Sequence, residues 1–246
     1  MPPRTLLALL FALAGPTVVQ ARCDGEIVED RLRTVEAAGD ILTESGRRLK
    51  IADIRLGEGA AERLSPFGGE RLLLTLSGKS DRWGRVPARI IVAKDGTDLA
   101  ALLLRDGEAL VDVGDADALC RPALLAAERE VRLARRGAWA SVLLAASDPE
   151  SLANEVGRFA VVEGRVLSVG ERERWTYLNF GRDFGRDFAV SISRRNWRRM
   201  QDLGLSAASL RGRTVRVRGI VEMRRAPSME IVSRDMIEIE ESAPAR

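Results

Sequence analysis

The sequence predicts a mainly β chain with helices, an α+β protein built as two small barrels in succession. Three observations predict this. Short stretches of alternating apolar and polar residues, bounded by Gly, Pro, Asn and Asp, recur from Glu26 to Val92 and again from Phe159 to Ile239. Helix-type spacing is confined to a few segments between those strands. Between the two series, Ser147-Asp-Pro-Glu-Ser151 reads as a linker. The 246 residues, 46% of them hydrophobic, suffice for one large domain or two small ones with real cores.

The chain opens on residues expected to act as an export signal, 1–21. Met1–Arg4 is a short positive start, Leu6–Ala14 an apolar run too short to span a bilayer, and Val19-Gln20-Ala21 a small-residue cleavage site. Arg22 before Cys23 departs from the lipoprotein cleavage pattern, so no lipid anchor is expected. No second segment has membrane length. The expectation is an exported protein, periplasmic or secreted, with no stable membrane insertion. Two cysteines in such a compartment most simply pair, so a Cys23–Cys120 disulfide is expected, with two buried thiols as the alternative.

In the first half, Ala37–Glu58 reads as two short strands joined at Ser45–Gly46, with Ile41, Leu49 and Ile51 on the apolar face. Ala60–Leu64 is a helical turn stopped by Ser65-Pro66. Leu72–Leu76 and Pro87–Val92 are strands, and a helix opens at Thr97 and ends before Gly107. A further helix is expected from Ala116 to Arg136, with Leu124, Ala127, Val131 and Ala134 on one face and Gly137 at its C-terminal cap. Five strands interrupted by helices fit an OB-type barrel. The second half gives strands at Phe159–Val169, Trp175–Phe180 and Phe188–Ile192. A helix then spans Ser193–Leu203, with Trp197, Met200 and Leu203 inward, and strands follow at Thr214–Met223, Met229–Val232 and Met236–Ile239. Strand–strand–strand–helix–strand–strand again fits a small OB-like barrel. The expected division is 22–145 for the first domain, 146–157 for the linker and 158–242 for the second domain.

Composition narrows the chemistry. With no histidine, imidazole bases, His-based triads and His–metal nucleases are excluded, and two cysteines cannot build a four-thiolate zinc site. Carboxylates, arginines and an oxygen-bound hard cation remain. Residues 151–246 carry 18 arginines against 13 acidic residues, a balance of +5. In the strand Thr214–Gly219, Arg216 and Arg218 alternate with Val215 and Val217 and share the outward face. Together with Trp175 and Tyr177 as stacking rings, they form a candidate surface for single-stranded nucleic acid. The competing reading is a solvated sheet face with core aromatics.

Three motifs in the first half resemble the staphylococcal nuclease (thermonuclease) family. They are Ala38-Gly-Asp40-Ile, Lys50-Ile-Ala-Asp-Ile-Arg55-Leu-Gly-Glu58 and Asp81-Arg-Trp-Gly-Arg85. Glu128-Arg-Glu-Val-Arg132 followed by Gly137-Ala-Trp139 is similar to the family's closing helix, so the likeness spans about 25–140. The resemblance implies a thermonuclease-type OB barrel that hydrolyses DNA or RNA with Ca²⁺. By position it implies Asp40 as a calcium ligand, Glu58 as general base, and Arg85 and Lys50 as phosphate clamps. Two departures erode the site. Lys50 replaces an arginine and loses the planar two-pronged grip, and Arg55 replaces the second calcium aspartate, leaving Asp53 as the alternative ligand. A cation ~4 Å from a divalent ion costs about 8 kcal/mol at an effective dielectric near 20. Two function classes follow: an exported nuclease-like protein that acts on or binds nucleic acid through an eroded metal-dependent site with weak Ca²⁺ binding, or a catalytically inactive nuclease-like envelope protein serving as a binding or structural module.

Overall fold

The structure, a computed structural model, describes residues 25–114 and 118–240. The export signal and Cys23 lie outside the described residues, and the Cys23–Cys120 pairing therefore does too. The fold is α+β and mostly strand. Among the described residues no helix is long and apolar enough to cross a membrane.

In the first half the elements run β1 (Ile27–Val35), β2 (Ile41–Thr43), β3 (Arg48–Ile51), β4 (Ile54–Leu56), α1 (Ala60–Leu64), β5 (Arg71–Leu76) and β6 (Arg85–Val92). Next come α2 (Leu99–Asp106), β7 (Ala109–Val111), α3 (Leu124–Ala127), α4 (Arg129–Leu133) and β8 (Leu143–Ala145). Five strands close a barrel in the order β1-β2-β3-β6-β5, compatible with an OB-like fold. Only β3 and β6 pair in parallel within it. Alternation does what the sequence suggested: Leu32, Ile41, Leu49, Ile51, Leu72, Leu74 and Ile90 all point into the barrel and are fully buried or nearly so.

Helix α2 starts one residue later than expected, because Asp98 rather than Thr97 is the cap. Its carboxylate accepts from the N–H groups of Ala100 and Ala101, and Gly107 ends the helix in the left-handed region at φ 82°. The single helix expected up to Arg136 is instead two short ones, α3 and α4. Gly137, at φ 56°, abuts the Gly107 backbone so closely that a Cβ there would sit 2.3 Å from the Gly107 carbonyl. That contact seats the buried Trp139 against Leu110, Val131 and Val161.

The second half continues with α5 (Pro149–Asn154), β9 (Phe159–Arg165), β10 (Ser168–Glu171), β11 (Trp175–Asn179), β12 (Ala189–Ser193), α6 (Arg194–Asp202) and α7 (Ala207–Leu210). It closes with β13 (Thr214–Met223), β14 (Pro227–Glu230) and β15 (Ile237–Ile239). Its sheet follows the path β10-β11-β12-β14-β13-β9-β8, with β15 also on β13 and a parallel pair at β12–β14. The expected single strand over 159–169 is broken at Val166-Leu167. Its two halves, β9 and β10, pair with β13 and β11, so one bent strand serves both flanks of the sheet. Counting that strand as one, both halves of the chain have the order 1-2-3-5-4 with a parallel 3–5 pair. Leu203 was expected inward with Trp197 and Met200, but it caps the end of α6 and is 60% exposed.

Residues 146–157, expected as a linker, hold α5, with Asp148 capping it and Leu152 fully buried. The two halves also share a sheet, because β8 pairs in parallel with β9. The deepest contact between them is ionic. Arg218 on β13 donates from Nη1 to Glu128 Oε2 and to the Val111 carbonyl, both at 3.0 Å, and from Nη2 to Glu238. Glu128 Oε1 accepts from the Val111 N–H at 2.6 Å. Arg218 is 1% exposed and Glu128 0%. The outward face of β13 is thus correctly read from the Val/Arg alternation, but the first half of the chain covers it. Arg216 is likewise tied to Glu163, Glu238 and Glu240. Neither arginine offers the solvent-facing nucleic-acid surface expected of it.

Burial raises the Glu128 carboxyl above its ordinary value, against the attraction of Arg218 and the Val111 N–H. This group therefore favours the folded state most below its ordinary value of 4.5 and loses that share as pH rises through the raised value. Removing one partner strands the other charge. Arg218→Ala or Glu128→Ala should each cost about 3–5 kcal/mol in urea unfolding, whereas Glu128→Leu with Arg218→Met should cost less than the sum of the two single changes.

Candidate functional site

The residues with the highest density of paired charge in the first barrel gather where β2, β3 and β6 meet. Gly39, at φ 81°, turns the chain into β2, and a Cβ there would strike the Leu56 side chain at 2.3 Å. The turn is pinned by Gly39 N–H to the Glu36 carbonyl at 2.7 Å and Glu36 N–H to the Asp40 carbonyl at 2.9 Å. Asp40 is thereby set facing β3 and β6 and is 4% exposed. In the parallel register Arg48 lies beside Arg85, and the Asp40 carboxylate bridges them. Its Oδ2 meets Arg48 Nη2 at 3.1 Å and its Oδ1 meets Arg85 Nη1 at 3.3 Å. Two guanidiniums on neighbouring strands repel; one carboxylate between them and flanking ones on Glu36 and Asp81 offset that.

Asp81 also shapes the β5–β6 loop. Its Oδ1 accepts from the N–H groups of Trp83 and Arg85, and its Oδ2 from Arg85 Nε at 2.8 Å. Desolvation pulls the Asp81 carboxyl up, but these bonds and the Arg85 charge hold it below its ordinary value. Desolvation likewise opposes the Arg85 cation, yet Asp81 and Asp40 hold its value raised. At the rim Trp83 is 54% exposed, with Arg82 stacked 4.0 Å and Arg85 4.8 Å from its ring centroid.

The structure brings Asp40 and Arg85 together and leaves the other expected site residues apart. Lys50 is exposed, lies opposite Pro87 in the β3–β6 register, and has no contact to Asp40. The neighbouring guanidinium is Arg48, two residues earlier on the same strand face. Strand alternation makes the two positions equivalent, and only the pairing with Arg85 separates them. Glu58 is exposed in the turn after β4, with no partner in the Asp40 cluster. Asp53, at φ 68°, accepts from the Cys120 N–H at 2.9 Å and from Arg121 Nε at 3.2 Å. Arg55 points to Asp112 across the β4–β7 pair, with Nη2 to Oδ2 at 2.9 Å, and its guanidinium lies over Phe159 at 4.8 Å.

These residues do not fit a calcium ion. Ca²⁺ takes 6–8 oxygens at 2.3–2.6 Å. Both Asp40 oxygens already accept from guanidiniums, and no group of three or more acidic or cysteine side chains converges among the described residues. What the arrangement offers is donors: Arg48 Nη1 and Arg85 Nη2 remain uncommitted beside an exposed indole, suited to phosphate oxygens and a flat ring. Arg48 Nε is buried without a hydrogen-bond partner among the described residues.

No protein-family model matches the chain, and no curated protein is significantly similar to it in sequence. In the second half, Trp175 and Tyr177 stand on one face of β11, apart from Arg216 and Arg218. Trp175 lies under Arg224, 5.6 Å from its guanidinium, while Tyr177 lines a pocket that Arg224 also borders.

Two outcomes are expected. Arg55→Asp should not create a metal site; it places a carboxylate opposite Asp112 and should cost ~1 kcal/mol in denaturant unfolding, with Ca²⁺ titration heats unchanged. The Asp81 clasp on the β5–β6 loop should be complete above 3.8 and lost as pH falls through that residue's lowered value, read as line broadening of the Trp83 indole N–H by NMR.

Proposed function

We propose that the first barrel is a thermonuclease-type OB domain that grips the phosphodiester backbone of single-stranded nucleic acid without calcium-assisted hydrolysis. The observation that carries this reading is the Asp40 carboxylate, both of whose oxygens are held by Arg48 and Arg85. That arrangement removes the metal ligand and leaves a cationic clamp. Glu58, the general base in the resemblance, stands outside the cluster, and with no histidine the chain has no imidazole to replace it. Arg48 and Arg85 take phosphate oxygens through their remaining N–H donors, and Trp83 offers its exposed face to a base. In this reading the protein is exported and acts as a binding module, and the eroded motifs are the remains of a hydrolytic site.

Mature protein incubated with denatured DNA or RNA should leave both intact with Ca²⁺, Mg²⁺, Mn²⁺ or chelator. Fluorescence anisotropy should show binding that weakens with salt, at ~0.7 in the log–log slope per phosphate contact. Arg85→Ala and Trp83→Ala should each weaken it about tenfold, ~1.4 kcal/mol, while Arg158→Ala, exposed and paired with Glu155, leaves it unchanged. Calcium-dependent cleavage abolished by Glu58→Gln would establish the hydrolase instead.

A further inference from the structure

The second half carries a pocket of about 560 Å³ on the outer face of β10, β11, β12 and β14, used by nothing described above. Its floor is set by strand register. Gly170, Tyr177 and Ser191 lie side by side across β10, β11 and β12, and the small Gly170 and Ser191 leave space beside the tyrosine ring. Ser191 is 2% exposed, and its hydroxyl, which has no hydrogen-bond partner among the described residues, lies buried below the pocket surface.

The walls state what ligand the pocket suits. Phe184, 69% exposed, stands at the lip as a second ring beside Tyr177. Arg172 and Arg225 also line the pocket and form no ion pair among the described residues. The carboxylates present are engaged within their own loop. Asp183 Oδ1 accepts from the Gly185 N–H and Asp187 Oδ2 from the Asp183 N–H, both at 2.9 Å. The pocket therefore presents two aromatic faces and two guanidiniums that form no ion pair among the described residues. Its volume lies within the ~300–1,000 Å³ range of small-ligand sites.

We propose that this pocket binds a nucleoside phosphate, free or as one unit of a single-stranded chain. The base lies against Tyr177 and Phe184, and the phosphate is held by Arg172 and Arg225. The inference rests on the reading that the chain engages nucleic acid, but through residues separate from Arg48, Arg85 and Trp83.

Calorimetry on the full mature chain tests it with adenosine 5′-monophosphate, adenosine, ribose 5-phosphate and a four-nucleotide DNA strand. The monophosphate should bind saturably and at least tenfold tighter than adenosine or ribose 5-phosphate. Arg225→Ala and Phe184→Ala, both on the surface, should each weaken it at least tenfold without lowering the unfolding temperature. If the strand binds, the monophosphate does not, and the same variants abolish strand binding, the strand is the source and the proposal stands. Ribose 5-phosphate binding as tightly as the monophosphate overturns it, as does indifference to both variants or the absence of binding by any probe. Arg85→Ala separates the two readings: strand binding lost there and untouched by Arg225→Ala and Phe184→Ala leaves the first-barrel clamp intact and removes the pocket.

Discussion

A buried ion pair between the two halves, Arg218 with Glu128, is the constraint on which the remaining arrangement depends. Moving each of these charges out of water costs several kcal/mol, and the pair is tolerable only because every strong donor and acceptor around it is matched. Glu128 takes the Val111 N–H and Arg218 the Val111 carbonyl, so the pair also terminates β7, which holds β4. Glu238 on β15 then links Arg218 to Arg132 and Arg216. One network thus joins α3–α4, β7, β13 and β15, and neither half can shift without stranding a charge.

The same network explains the fate of the closing motif. Glu128 and Arg132 belong to the stretch that resembles the end of a nuclease domain, and Trp139 follows in it. Here all three face the second half: Glu128 meets Arg218, Arg132 meets Glu238, and Trp139 packs on Val161 of β9. With β8 added to the edge of the second sheet and one apolar cluster running from Leu32 to Ile237, the halves behave as a single packed unit.

The Asp40 site pairs one carboxylate with two guanidiniums. These come from strands held in parallel register, and the loop leading to Arg85 is clasped by Asp81, so the geometry of the cluster is fixed by backbone pairing and loop hydrogen bonds. The second half repeats the strand order but differs on the face of β10, β11 and β12, where the small Gly170 and Ser191 leave a pocket beside Tyr177.

The sequence alone determined the α+β class, the two series of strands, the apolar side of each, the cap at Gly107 and the chemistry excluded by the lack of histidine. These follow from local period and residue type, which act within one strand or turn. It also singled out Asp40 and Arg85, through their place in motifs that resemble the thermonuclease family. What only the tertiary structure decided was which charges meet. Alternation puts Arg48 and Lys50 on one face of β3, and the parallel partner strand alone selects Arg48. Alternation likewise places Arg216 and Arg218 outward, but being outward from one sheet says nothing about what another part of the chain lays over it. A charge's partner depends on packing across 90 residues of sequence, as between Arg218 and Glu128, and local patterns carry no information at that range.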